Sequence, residues 1–577
     1  MKVVLAAVNA KYIHSNLAVY SLKAYADQGL NGQADIVIRE YTINQDREKV
    51  LADLYMQKPE LLAFSCYIWN ISYVRELAVQ IKTLLPKTDL WLGGPEVSYE
   101  PEKLFEELPI KGIMLGEGEA VFENLVSVYL RYEEQQREDA LRRMKGIACR
   151  DFSTAPDTKL LQMDELPFVY ESFPEECFEN RIVYYETSRG CPFCCAYCLS
   201  SIDKQVRFRS FSLVKRELRF FLDRNVSQVK FVDRTFNCNP AHALEIWNYI
   251  KEHDNRITNF HFEIAADIMT DEELALIRTM RPGLIQLEIG VQTTNRETIR
   301  AVNRRMDFDK VISVVRRIQE GKNVHLHLDL IAGLPKENFQ SFRNSFNEVY
   351  ALHPNQLQLG FLKVLKGTPI AENAAHDGIR YWTIPPYEVL FTKELTFREV
   401  LQLKAVEEMV DLYYNSGQFC HTLRFLETYF GEAFAMYAAL AGFYRERGYG
   451  TQLPSRVRKY EILLEFAKDI PGVSSEKCGE LLTLDLYLRE NLKTRPFFSE
   501  SQQPYKERIR AFYKREEMNR QYLPEYAEFD FKQLMKLTHV EIFDLLADSR
   551  QVLLFNYKEK DALTNNAKLI TITHELE

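Results

Sequence analysis

Residues 181–198 read RIVYYETSRGCPFCCAYC. The apolar run RIVYYET has the β-branched and aromatic character of a strand. Four cysteines follow it at once: Cys191, Cys194, Cys195 and Cys198. Further strand-like runs follow: QVKFVDRTF, NFHFEIAAD, LIQLEIGVQT, VHLHLDLIAG and QLQLGFLKVL. Helical segments such as VKRELRFFLD, AHALEIWNYI and KVISVVRRIQ separate them. Six βα units predict a partial (βα)6 TIM-like barrel over 176–370. Barrels of this kind place their chemistry at the C-terminal ends of the strands, and the cysteine turn follows the first strand.

Cys191, Cys195 and Cys198 form the pattern C-x3-C-x2-C. Three thiolates on one loop can ligate three irons of a [4Fe–4S] cluster and leave the fourth open. Pairing Cys191 with Cys194 gives only half of a zinc site, and no second pair lies at a suitable spacing. Cys194 is then a spare thiol packed beside the loop. The other six of the ten cysteines (Cys66, Cys149, Cys177, Cys238, Cys420 and Cys478) are scattered. That usage speaks against a disulfide framework and for a reducing cytoplasm.

With Tyr197 just before the last cysteine, this segment resembles the radical S-adenosylmethionine (radical SAM) superfamily. The resemblance implies that the open iron is chelated by S-adenosylmethionine, which one electron cleaves to methionine and a 5′-deoxyadenosyl radical. It also implies roles at the other strand ends. Asp233, in FVDRTFN, is a candidate for the SAM amino group, although the common Gly-Gly-Glu form is absent; a turn or cap role is its plain structural alternative. Glu288 and Gln292, in EIGVQ, stand where the family contacts the ribose. Ile331 and Gly333, in DLIAGLP, resemble the adenine-packing segment, with Lys336 replacing a small residue. Lys363 and Lys366 read as solvated lysines. The residues name no catalytic acid or base.

Residues 1–135 alternate short apolar strands (KVVLAAVN, IVIREY, LLAFSCY, LWLGG, GIMLG) with helices. This predicts a doubly wound, Rossmann-like parallel sheet. Ser65, the Gly93–Gly94 pair and Glu117 in GEGE each follow a strand, where small residues let a flat ligand lie across the sheet edge. Ahead of a radical SAM barrel, they resemble a cobalamin (B12)-binding domain. The family's Asp-x-His-x-x-Gly is absent from the first loop, NAKYIHSN. His14 reads as a hydrogen-bonded loop histidine, and the resemblance leaves the lower ligand of cobalt open. The RNA methylthiotransferases also put an α/β domain before such a barrel, but there it supplies three cysteines. Here the N-terminal region has only Cys66 and Cys149, too few for a second three-cysteine cluster.

Residues 136–175 read as a charged helix and a Pro-punctuated linker, and 385–577 as a mostly helical accessory domain ending in a hairpin. The aromatic and basic stretch Tyr505–Arg515 is diluted by acids and reads as an amphipathic helix. Cys420 and His421 make no metal site. Net charge is −9, so no overall basic field recruits DNA, and no run reaches the roughly 20 apolar residues of a membrane span. The resemblance implies a cytoplasmic enzyme using a [4Fe–4S] cluster, S-adenosylmethionine and cobalamin. It would methylate an unactivated carbon of a small molecule rather than RNA, with an electron donor such as flavodoxin or ferredoxin. A rearrangement or cyclisation, a chain that has lost cobalamin, and a non-enzymatic corrinoid or redox sensor are the alternatives.

Overall fold

A computed structural model describes residues 1–155, 160–171, 173, 178–451, 454–547 and 549–576; Cys177 lies outside them. The first sheet contains β1 (Lys2–Asn9), β2 (Asp35–Thr42), β3 (Leu61–Ser65), β4 (Asp89–Gly93), β5 (Gly112–Met114), β6 (Ile147–Cys149) and β7 (Phe152–Ser153). Its order is β2-β1-β3-β4-β5-β6-β7, with the first five parallel. Alternation in β1 explains why both faces are covered. Val4, Ala6 and Val8 join one apolar core with helix Ile71–Leu84, while Val3, Leu5 and Ala7 join another with helices Leu17–Gly29 and Gly118–Arg131. The stretch read as a linker departs from expectation. After the charged helix Glu134–Arg143, β6 and β7 extend this sheet antiparallel.

Strand β8 (Ile182–Tyr185) leads into a ribbon of β9 (Ser188–Arg189) and β10 (Arg207–Phe208), whose ends bracket the cysteine loop. The barrel continues with β11 (Gln228–Phe231), β12 (Asn259–Ile264), β13 (Ile285–Gln292), β14 (His325–Ala332) and β15 (Gln356–Phe361). All six strands are parallel, in the order β15-β14-β13-β12-β11-β8. A partial barrel leaves two edges with unpaired backbone groups. At β8, Ile182 N donates to the Ile13 carbonyl (2.8 Å) and Ser15 Oγ to the Ile182 carbonyl (3.2 Å). At β15, the Asn415 amide bonds both backbone groups of Leu357, at 2.8 and 2.9 Å. The N-terminal domain thus covers one edge and the C-terminal helices the other.

The helices Phe397–Met409, Ala433–Arg447, Arg456–Lys468 and Ser475–Arg489 share one continuous apolar core with the barrel. A short hairpin, β16 (Arg380–Tyr381) with β17 (Val389–Phe391), precedes them. The tail holds β18 (Thr538–Phe543), β19 (Gln551–Lys560) and β20 (Ala567–Thr571) in one antiparallel sheet. The expected hairpin is β19–β20, and β18 adds a strand inside a stretch read as helical. Phe512 and Tyr513 face this unit's own core from helix Lys506–Asn519, so their rings are not offered to bases. His421 and Thr422 open a helix whose first turn is capped by buried Asp485. Among the described residues, no helix is long and apolar enough to cross a membrane.

Candidate functional site

The cysteine loop is held from several sides. Cys191 N donates to the Asp203 carbonyl (3.1 Å), Ala196 N to Val302 O (2.9 Å), and Asn303 Nδ2 to the Cys194 carbonyl (3.0 Å). Cys191 and Cys195 are buried, whereas Cys194 and Cys198 are half-buried. Among the described residues, these thiols are not a group whose sulfurs all lie within 4.8 Å of one another. A single zinc ion at about 2.3 Å from each thiolate would pull them closer than that. Burial pushes the Cys191 thiol up, so thiolate character there has to come from bound metal. Arg304 supplies a positive charge: its Nη1 lies 3.7 Å from Cys195 Sγ and 3.1 Å from the Tyr197 hydroxyl. Such charges tune a cluster's potential.

Asp233 is fully buried beneath this loop. Its carboxylate accepts from Thr187 N (3.0 Å), Thr187 Oγ1 (2.6 Å) and Ser188 Oγ (2.6 Å). Burial raises its pKa to about 6, against these three donors. Asp233 therefore anchors the strand-to-loop turn, with both of its oxygens engaged by that turn. Glu288 also departs from expectation. It lies mid-strand in β13, not at its end, and meets Lys230 Nζ at 3.0 Å. Gln292 does end β13, and its Oε1 is buried without a partner. An orphaned amide oxygen at a strand end suits a polar ligand there. Gly333 has φ +87, and a Cβ on it would meet Val389 at 2.7 Å. Its missing side chain makes room for Val389 of β17. Ile331 is half-buried in the same small apolar cluster as Tyr197.

The loop after β14 ends at Glu337, which is 1% exposed. Thr293 Oγ1 donates to its Oε1 at 2.5 Å, while Oε2 has no partner. Burial raises its pKa to about 8. A carboxyl raised by folding contributes stability that is full below the ordinary carboxylate range and is lost as pH rises through about 8. Glu337→Gln should remove that slope. The melting temperature of the parent should fall relative to the variant between pH 5 and 9. Parallel curves would reject the assignment.

In the N-terminal domain, Ser65 is buried and its Oγ takes Asn16 Nδ2 (3.3 Å). Gly93 is half-buried over Met114. Gly94 has φ +112, and a Cβ would lie 2.6 Å from the Cys66 carbonyl, so the turn itself requires glycine. Past β3, Tyr67 and Trp69 stack with centroids 4.3 Å apart, and Trp69 is 44% exposed. His14 Nδ1 lies 2.7 Å from the Tyr184 hydroxyl on β8, which ties it to the barrel. Glu117 makes ion pairs at the junction of the two domains. It pairs with Arg207 and with Arg189 (3.4 Å), two residues before Cys191. Arg189 also meets Glu119 (2.9 Å) and Glu186 (2.8 Å). Burial pushes Glu119 up, but Arg189 outweighs it and holds the carboxyl below its usual range. On another flank, Glu96 pairs with Lys366 (3.1 Å) and accepts from the Tyr387 hydroxyl. The loops at the C-terminal ends of β4 and β5 thus grip the barrel beside its cysteine loop.

Arg189, Arg207 and Arg304 had no sequence signal as junction or cluster-side residues, because the partners that give them those places (Glu117, Glu119, Cys195 and Tyr197) lie far away in the chain. The polar lining of the barrel had one: NFHFEI, IQLEIGVQ and HLHLDLIA place charged or amide groups at alternate positions.

Residues 3–126 match the B12 binding domain family, 185–349 the radical SAM superfamily, and 376–563 a family described as a protein of unknown function (DUF4080). The cobalamin-dependent radical SAM methyltransferase TokK of Streptomyces tokunonensis is 25% identical over 392 residues, 63% of this chain and 55% of that protein. The 2-(S-pantetheinyl)-carbapenam-3-carboxylate methyltransferase of Streptantibioticus cattleyicolor is 25% identical over 402 residues, with the same shares. The chain spans about half the length of these curated relatives. In fold it is similar to the cobalamin-dependent S-adenosylmethionine radical enzyme OxsB (TM-score 0.58, 14% identity, 84% of this chain and 78% of that one). It is also similar to the radical S-adenosylmethionine methyltransferase TsrM of Kitasatospora setae (TM-score 0.55, 16% identity, 67% and 82%).

Proposed function

We propose that this chain, in which a B12 binding domain precedes a radical SAM domain, is a cobalamin-dependent radical SAM methyltransferase acting on an unactivated carbon of a small molecule. The observation that carries the reading is the junction. The ion pairs of Arg189 and Arg207 with Glu117 and Glu119 bring the β5 end of the first sheet to the three-thiol loop. When bound, a [4Fe–4S] cluster with one open iron reduces S-adenosylmethionine, and cobalamin carries a methyl group.

Each residue's part follows from its position. Cys191, Cys195 and Cys198 hold the cluster, and Arg304 sets its electrostatic surroundings. Asp233 fixes the turn from which the thiols project. The orphaned Gln292 amide is placed to receive a polar group of S-adenosylmethionine. Ser65 and Gly93 keep the ends of β3 and β4 free of bulk, and the Tyr67–Trp69 pair offers a flat apolar wall of the kind a macrocycle lies against. A flavodoxin or ferredoxin supplies electrons.

Product analysis tests the reaction. A methylating enzyme consumes S-adenosylmethionine by two routes. S-adenosylhomocysteine and 5′-deoxyadenosine should form in near-equal amounts once the substrate is present. Deoxyadenosine without matching S-adenosylhomocysteine would replace methylation with a rearrangement or cyclisation. No cleavage by the reduced, reconstituted protein would leave only a sensor.

A further inference from the structure

Barrel interiors are usually packed with branched apolar residues. Here the apolar positions of β11 to β14 face the surrounding helices, and the alternate positions put Lys230, His261, Glu263, Glu288, His325, His327 and Asp329 inside. Strand register places Glu288 beside both His327 and Glu263. One ligand atom from each of Glu288, His327 and Asp329 lies within 4.8 Å of the others.

The contacts in this group are close but misaligned. His327 Nε2 is 3.0 Å from Asp329 Oδ1, and His261 Nε2 is 2.9 Å from Glu288 Oε2. Neither approach is well aligned as a hydrogen bond at the ring nitrogens or at Asp329 Oδ1, though both are short enough to pair the groups electrostatically. The side chains of His327 and His261 are only 8% and 9% exposed. Misaligned polar groups at such depth are costly. His327 Nε2 and Asp329 Oδ1, which approach without an N–H aimed at the oxygen, are disposed as co-ligands of one cation. Two ligands at about 2.0–2.1 Å from a tetrahedral zinc ion sit about 3.3 Å apart, so these donors need move only a few tenths of an ångström to share one ion.

We propose that Glu288, His327 and Asp329, with His261 beside them, form a site inside the barrel for a divalent transition-metal ion such as zinc, which takes imidazole and carboxylate donors. Lys230 is the competing cation. Its ammonium takes Glu288 Oε2 at 3.0 Å and lies 3.9 Å from Glu263 Oε1. It acts as an outer partner that orients Glu288 and leaves Oε1 for the ion. Three protein ligands leave a zinc shell open for a further donor. An oxygen of the substrate, from a carboxylate, carbonyl or hydroxyl, would complete it. This site is independent of the methyl-transfer reading.

The test uses the full chain with its cluster reconstituted, equilibrated with zinc alone and then desalted. About one zinc per chain should remain, with a nitrogen and oxygen shell at the zinc absorption edge. His327→Ala and Asp329→Asn should each weaken retention at least about tenfold, as expected for loss of a ligand, with iron per chain unchanged. Glu288→Gln, nearly the same shape, should also lose zinc and guards against misfolding of the others. No retained zinc, equal retention in the variants, or a sulfur shell from the scattered thiols would overturn the proposal.

Discussion

Replacing Cys191, Cys195 or Cys198 with alanine abolishes both the cluster and S-adenosylmethionine cleavage, while Cys194→Ala keeps both within about twofold, the usual scale for a side chain without a key partner. Cys191 and Cys195 are buried, and Arg304 lies at the Cys195 sulfur. Cys194 is held through its backbone carbonyl by Asn303, a contact that alanine preserves. Iron and sulfide per chain, with deoxyadenosine released after reduction, provide the readout. If Cys194→Ala lost its iron and Cys195→Ala kept it, the ligand register assigned here would be wrong.

Asp233→Ala has the next largest effect. It leaves Thr187 N and Ser188 Oγ without their acceptor in a fully buried place and Thr187 Oγ1 with only His242 Nε2, at 3.0 Å. One orphaned buried donor costs about 1–3 kcal/mol, so the loop should lose order and the chain several kcal/mol. Asp233→Asn does not rescue it, because the three donors call on both oxygens and the amide turns one of them into a donor. Cluster retention and thermal unfolding should both fall in the two variants. A variant that kept the cluster but lost affinity for S-adenosylmethionine would return Asp233 to direct contact with that ligand.

Gly94 illustrates how the structure changes an experiment. A bulky residue there would disturb the turn against Cys66 whether or not a cofactor binds nearby. Trp69, exposed and stacked on Tyr67, is the better position at which to probe the first domain's strand ends.

The chain's own residues determined the two parallel sheets, because short apolar runs alternating with amphipathic helices have few other ways to bury both faces. They also determined the thiol loop, whose three cysteines lie within eight residues of one another in the chain. What Asp233, Glu288, Gly333 and Glu117 do was decided only by tertiary structure. Asp233, Gly333 and Glu117 stand in turns after strands and Glu288 within one, and in either place local pattern cannot distinguish a ligand contact from a cap, an ion pair or a packing space. Their partners (Thr187 and Ser188, Lys230, Val389, Arg207) come from other strands and loops. Charge pairing and close packing depend on distance in space, and that distance is set only when the sheets close and the two domains meet.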